Sequence, residues 1–275
     1  MSDWLSGYVL ANGLRLHYTR TGGERPPLVL AHGYSDDGLC WAPVARALEA
    51  DYDIIMVDAR GHGRSDAPLS GYGTLSLAED LAAAIRALRL ERPAVLGHSM
   101  GGATTLALAG LYPALPGAIL IEDAGMFNMG AARTPDQAER QARMRADIER
   151  FAQTSREALI EQVRASQPAW PEDELGPWAD SKKRLSPNVL NRADAAPVDW
   201  PALLPKIACP ALLITADNDR GAMVTPEAAR EMQGMIGGLE VVHVPGAGHS
   251  IRREQFAAYI DAVRGFLARW AAGRA

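Results

Sequence analysis

The chain has 275 residues, 48% of them hydrophobic, enough for one large domain or for a core carrying an insertion, and too apolar for disorder. The net charge is −5 with both signs mixed along the chain, so nucleic acid is not an expected partner, because phosphate neutralisation needs clustered Lys and Arg. Cys40 and Cys209 stand far apart in no metal-like spacing and are expected to be reduced core thiols, one disulfide being the alternative.

In chain order, Met1–Gly7 has no basic start and no long apolar run, so no signal peptide is expected. No later segment approaches the roughly 20 apolar residues that span a bilayer, and a cytoplasmic protein with no membrane partner is the expectation. Tyr8–Leu10 and Leu14–Tyr18 flank Asn12-Gly13, a strong hairpin signal, and predict an antiparallel pair. Leu28–Ala31, Ile54–Val57, Ala94–Leu96, Ala118–Ile121, Ala211–Ile214 and Val241–Val244 are short apolar runs without polar alternation. Such runs predict strands buried on both faces of a mostly parallel sheet. Helices are predicted over Leu77–Leu90 with Ser76 as N-cap, over Met100–Leu111, and over Phe256–Trp270. This alternation predicts an α/β fold. It breaks between Met126 and Trp200, where a charged helical pattern gives way to a Pro- and Trp-rich stretch. Residues 1–125 and 201–275 are therefore expected to form the core, and 126–200 a helical insertion above it.

Three strand ends carry the chemistry. Gly97-His98-Ser99-Met100-Gly101 follows a strand and opens a helix, the context in which G-x-S-x-G forms a tight turn that pushes a serine hydroxyl outward. The helix N-terminus behind Ser99 offers free N–H groups to a developing oxyanion. His32-Gly33-Tyr34 ends another strand, and the N–H of Tyr34 beside that of Met100 would complete an oxyanion hole. Alone, this second motif reads as an ordinary strand-to-loop turn. Pro245-Gly246-Ala247-Gly248-His249 places one imidazole on a late Gly-rich loop, which marks His249 among six histidines as the general base. An acid must orient it, and two strand ends compete. Asp219 is preferred, three residues beyond Ala216, the small residue that closes its strand. Asp123 is the alternative, and both preserve the order Ser, acid, His.

With His32-Gly33, the Asp58–Ser65 turn, Gly97–Gly102, Asp219 and Gly248-His249, the chain resembles the α/β-hydrolase family over about 28–123 and 210–275. The resemblance implies the α/β-hydrolase fold, a variable helical cap, and no structural need for metal or organic cofactor. Dehalogenases and epoxide hydrolases of the family carry Asp at the nucleophile, where this chain has Ser99. Carbon–carbon bond hydrolases usually have Asn before the serine and an aromatic after the histidine, where His98 and Ser250 stand. Haloperoxidases and perhydrolases often have Phe before the serine and Trp after His-Gly, where His98 and Tyr34 stand. The expected activity is hydrolysis of a small-molecule carboxylic ester or lactone, with a small-molecule-binding receptor of the same fold as the non-enzymatic alternative. His32, Gly33, Met126, Phe127, Trp170 and Trp178 are expected to line the substrate pocket, although Met and Trp at a cap–core contact serve equally well as packing.

Overall fold

The computed structural model describes residues 4–126, 135–192 and 194–273. The chain opens with β1 (Leu5–Ala11) and β2 (Leu14–Arg20), an antiparallel hairpin whose turn residues Asn12 and Gly13 both have positive φ (50° and 77°). That is the turn the Asn-Gly dipeptide favours, because its backbone twist matches the strands. There follow β3 (Pro27–Ala31), α1 (Ala42–Leu48), β4 (Asp53–Val57), α2 (Thr74–Ala87), β5 (Ala94–His98), α3 (Met100–Leu111) and β6 (Ala118–Glu122). Three helices, α4 (Pro135–Gln153), α5 (Arg156–Ser166) and α6 (Glu172–Lys183), separate β6 from the short α7 (Trp200–Leu203) and β7 (Ala211–Thr215). The chain closes through α8 (Pro226–Met235), β8 (Glu240–His243), α9 (Ile251–Glu254) and α10 (Phe256–Ala272).

Among the described residues the strands form one eight-stranded sheet in the order β1-β2-β4-β3-β5-β6-β7-β8. From β4 to β8 every pairing is parallel, while β1 and β2 pair antiparallel. Side chains alternate across a strand, so each apolar run feeds two cores. Val29, Ile55, Val95, Ile119 and Leu213 point to one face, where α2, α3 and α8 cover them. Leu28, Ile54, Leu96, Leu120 and Ile214 point to the other, where α1 and α10 cover them. This double cover is why the runs lack polar alternation.

One sequence-based expectation needs correction here. The second helix begins at Thr74, not after Ser76; Gly73 is its N-cap and makes no side-chain cap bond. The charged stretch around Glu139–Val163 is two helices, α4 and α5, with Ser155 capping the second through the Ala158 N–H. Cys40 and Cys209 are buried and unpaired, as expected, and burial raises their thiols to about 12 and about 11. Among the described residues no helix is long and apolar enough to cross a membrane.

Candidate active site

Ser99 sits between β5 and α3 with φ 51° and ψ −112°, a conformation that strains any residue with a side chain. Its neighbours make the turn possible. A Cβ on Gly97 would collide with the Gly101 carbonyl, and one on Gly101 with the Ala31 carbonyl of β3. The Ser99 N–H donates to the Glu122 carbonyl at 3.1 Å, which ties the elbow to the end of β6. Ser99 is half-buried, and Met100 is the first residue of α3, so its N–H lies among those that a helix leaves without an internal partner.

The loop after β3 packs directly on this elbow. A Cβ on Gly33 would meet His98 Nδ1 at 2.6 Å and Ser99 Cβ at 3.5 Å, so only glycine fits, and Tyr34 follows it immediately. His32, expected to line the pocket, has its ring anchored to backbone. Its Nδ1 bonds the Gly33 carbonyl at 2.8 Å and its Nε2 accepts from the Ala59 N–H at 3.0 Å, so both ring nitrogens are spent on holding two loops together.

His249 reaches the same place from the loop after β8. His98 Nε2 bonds the His249 carbonyl at 2.8 Å, and the two rings lie 4.7 Å apart. Burial, then the charge of Arg252, hold His98 well below the usual histidine range, so it stays neutral beside the His249 loop. The loop is braced further by Glu254, which accepts from the Gly248 N–H, and by Asp217, which accepts from the Gly246 N–H at 2.7 Å.

The carboxylate partner of His249 is Asp123, not the preferred Asp219. Asp123 Oδ2 lies 2.6 Å from His249 Nδ1, with the carboxylate fully buried and the imidazole side chain 34% exposed. The same carboxylate accepts from the N–H groups of Met223 and Val224, which fix it from the β7–α8 connection. Asp219 is exposed on the short turn Asn218–Arg220. The strand end that carries it spends its inner acid, Asp217, on His243 and Gly246 instead. Asp123 has a positive φ of 41°, a second strained residue one strand over from the elbow.

The other pocket expectations divide. Gly33 abuts Ser99. Met126 is partly buried against the core, and Phe127 lies outside the described residues. Trp170 and Trp178 stack on cations: the Arg253 guanidinium sits 4.5 Å above the ring of Trp170, and Lys182 Nζ 4.8 Å above that of Trp178. What sequence reasoning missed is a buried ionic cluster behind the site. Asp36 pairs with Lys182, Arg252 and Arg253; Glu122 pairs with Arg252; and Glu174 pairs with Arg253. The signal in the sequence is Asp36-Asp37 shortly after Tyr34 and Arg252-Arg253 shortly after His249, like charges crowded beside the two glycine-containing loops.

A doubly covered, mainly parallel sheet with a strained serine at one strand end and an Asp–His pair at two others defines a hydrolase scaffold. The alpha/beta hydrolase family model matches residues 28–262, and the chain belongs to that family. It is 30% identical to N-formylmaleamate deformylase of Pseudomonas putida over 97% of this chain and 98% of that protein. Its fold is similar to that of E-2-(acetamidomethylene)succinate hydrolase, with a TM-score of 0.80, 23% identity, and coverage of 97% of this chain and 100% of that one. It is also similar to the enol-lactonase of Burkholderia xenovorans, with a TM-score of 0.69, 25% identity, and coverage of 95% and 99%.

Proposed function

We propose that this protein is a serine hydrolase that cleaves a small carboxylic ester or lactone through an acyl-enzyme, with Ser99 as nucleophile, His249 as base and Asp123 as the acid. The observation that carries the reading is the 2.6 Å contact between His249 Nδ1 and the buried Asp123 carboxylate, on a loop that His98 holds beside the strained Ser99 elbow. With Nδ1 engaged by a carboxylate, the neutral ring carries its proton there and Nε2 is the basic nitrogen. Ser99 Oγ attacks the carbonyl carbon while Nε2 takes its proton. The N–H groups of Met100 and Tyr34 stabilise the oxyanion. The imidazolium then protonates the leaving group, and water, deprotonated by the same ring, releases the acid and restores Ser99. The helices between β6 and β7 act in this reading as a cap that shapes the pocket.

A second reading keeps the machinery and changes the bond. The 30% identity to a deformylase, over nearly the whole of both chains, favours hydrolysis of a carbon–nitrogen acyl bond. Two measurements test the proposal. A fluorophosphonate probe should label Ser99 alone and fail on Ser99→Ala. A panel of esters, lactones and N-formyl or N-acetyl amides should then identify the bond. Labelling at another serine, or full turnover by Ser99→Ala, would sink the first claim.

A further inference from the structure

The buried arginines of this protein differ in one respect. Arg60 is held by Asp80 at 2.5 and 2.6 Å, Arg252 by Glu122 and Asp36, and Arg253 by Asp36 and Glu174. Arg192 is as buried, at 8% exposure, yet among the described residues no carboxylate pairs with it. It follows the short turn Pro187–Leu190, and its Nε donates to the Val189 carbonyl at 3.0 Å. Its guanidinium carbon sits 5.2 Å from the centre of the Tyr34 ring. The Tyr34 hydroxyl is itself buried without a hydrogen-bond partner among the described residues. The surroundings are apolar: Tyr72, Ile148, Leu185 and Val189 pack together with Tyr34. Burial pushes Arg192 down from its ordinary value and pushes Tyr34 up to about 12, with Arg192 pulling the phenol the other way.

A charged guanidinium in apolar surroundings is costly unless something anionic meets it. The backbone of Tyr34 follows Gly33, which abuts Ser99, so Tyr34 runs from the elbow to the apolar cluster where its ring meets Arg192. We propose that Arg192 and the Tyr34 hydroxyl form a carboxylate-binding subsite beside Ser99, so that the substrate is a small organic acid carrying the scissile acyl group. This rests on the serine-hydrolase reading and narrows it to a substrate class. The planar fork of Arg192 suits the two oxygens of a carboxylate, and the phenol adds a third donor.

The test uses the intact chain and two probes of similar shape, succinate and the uncharged succinamide. Titration calorimetry should show succinate binding to the wild type more tightly than succinamide. Arg192→Met should weaken succinate about 10- to 100-fold, the size of a lost hydrogen bond to a charged group, and leave succinamide nearly unchanged. Arg192→Lys should retain part of the affinity, and Tyr34→Phe should lose a smaller part. These two variants carry the test should Arg192→Met fail to fold. In parallel, succinate should slow fluorophosphonate labelling of Ser99. Equal affinity for the two probes, unchanged succinate binding in the variants, or succinate binding that leaves labelling untouched would each overturn the subsite. Absence of labelling without any probe strikes instead at Ser99 as nucleophile, and the calorimetry still reports on Arg192.

Discussion

At the scale of single residues, the decisive question is which carboxylate serves the imidazole. Asp123→Asn should lower kcat by about 10⁴-fold, because an amide cannot hold the Nδ1–H tautomer or stabilise the imidazolium. Asp219→Asn should stay close to wild type, because that side chain is exposed and His249 Nδ1 bonds Asp123. Steady-state rates for both variants, each shown to be folded by circular dichroism, decide it; a large loss in Asp219→Asn with a mild one in Asp123→Asn would reverse the assignment. The sequence carried Ser99 and His249 because local rules define them: a glycine-flanked elbow and a glycine-rich loop at strand ends. It left the acid open because both candidates sit at strand ends, and what separates them is three-dimensional. The amides of Met223 and Val224, 100 residues downstream, close around Asp123. For His32 the local pattern gave its place beside Gly33 but not the bonds of its two nitrogens to backbone on separate loops, which only the fold brings together.

At the scale of elements, strands and buried helices were legible because burial on both faces leaves an unbroken apolar run. Met100–Leu111 was read with its observed bounds because it is small and apolar throughout. The segment between β6 and β7 was harder, since its charges read as solvent-facing while several are buried. Glu174 and Lys182 on α6 are 1% and 4% exposed, and they meet Arg253 of α9 and Asp36 after β3. This ionic cluster joins α6 to the two loops that carry Tyr34 and His249. Asp36 is its centre: Lys182, Arg252 and Arg253 all bond it, and those cations hold its carboxyl well below the ordinary range against the opposing effect of burial. Asp36→Asn leaves three buried cations facing two anions. Breaking one side of a buried pair costs about 3–5 kcal/mol, so urea unfolding of Asp36→Asn should show a loss of that order. Arg164→Ala, which removes an exposed partner of Glu161 and Glu172, should barely move the midpoint. Equal effects from the two variants would show that the cluster contributes no more than surface pairs do.

Across the whole molecule, stability should depend on pH through histidines that the fold keeps neutral. His62 is fully buried, bonds the Arg60 carbonyl through Nδ1, and lies 5.0 Å from the His32 ring. Burial, then the neighbouring His32, lower it from 6.5 to about 3. His98 is lowered in the same direction. Between pH 6.5 and 3 the unfolded chain binds protons at these positions that the native chain does not, so stability rises with pH across that window. The contribution is fully present above the unfolded value and is lost as pH falls toward the folded one. Each such histidine gives a slope approaching about 1.4 kcal/mol per pH unit. Asp36 and Asp58, both depressed, add acid sensitivity below about their ordinary values, whereas Glu122 and Asp37, raised by burial, oppose the histidines above theirs. Comparison with a histidine variant therefore isolates the histidine contribution. Urea unfolding free energies measured at pH 7, 6 and 5 should show His62→Gln lacking about one proton's worth of the acid-side loss seen in the wild type. An identical pH dependence in the two proteins would contradict the neutral state assigned to His62.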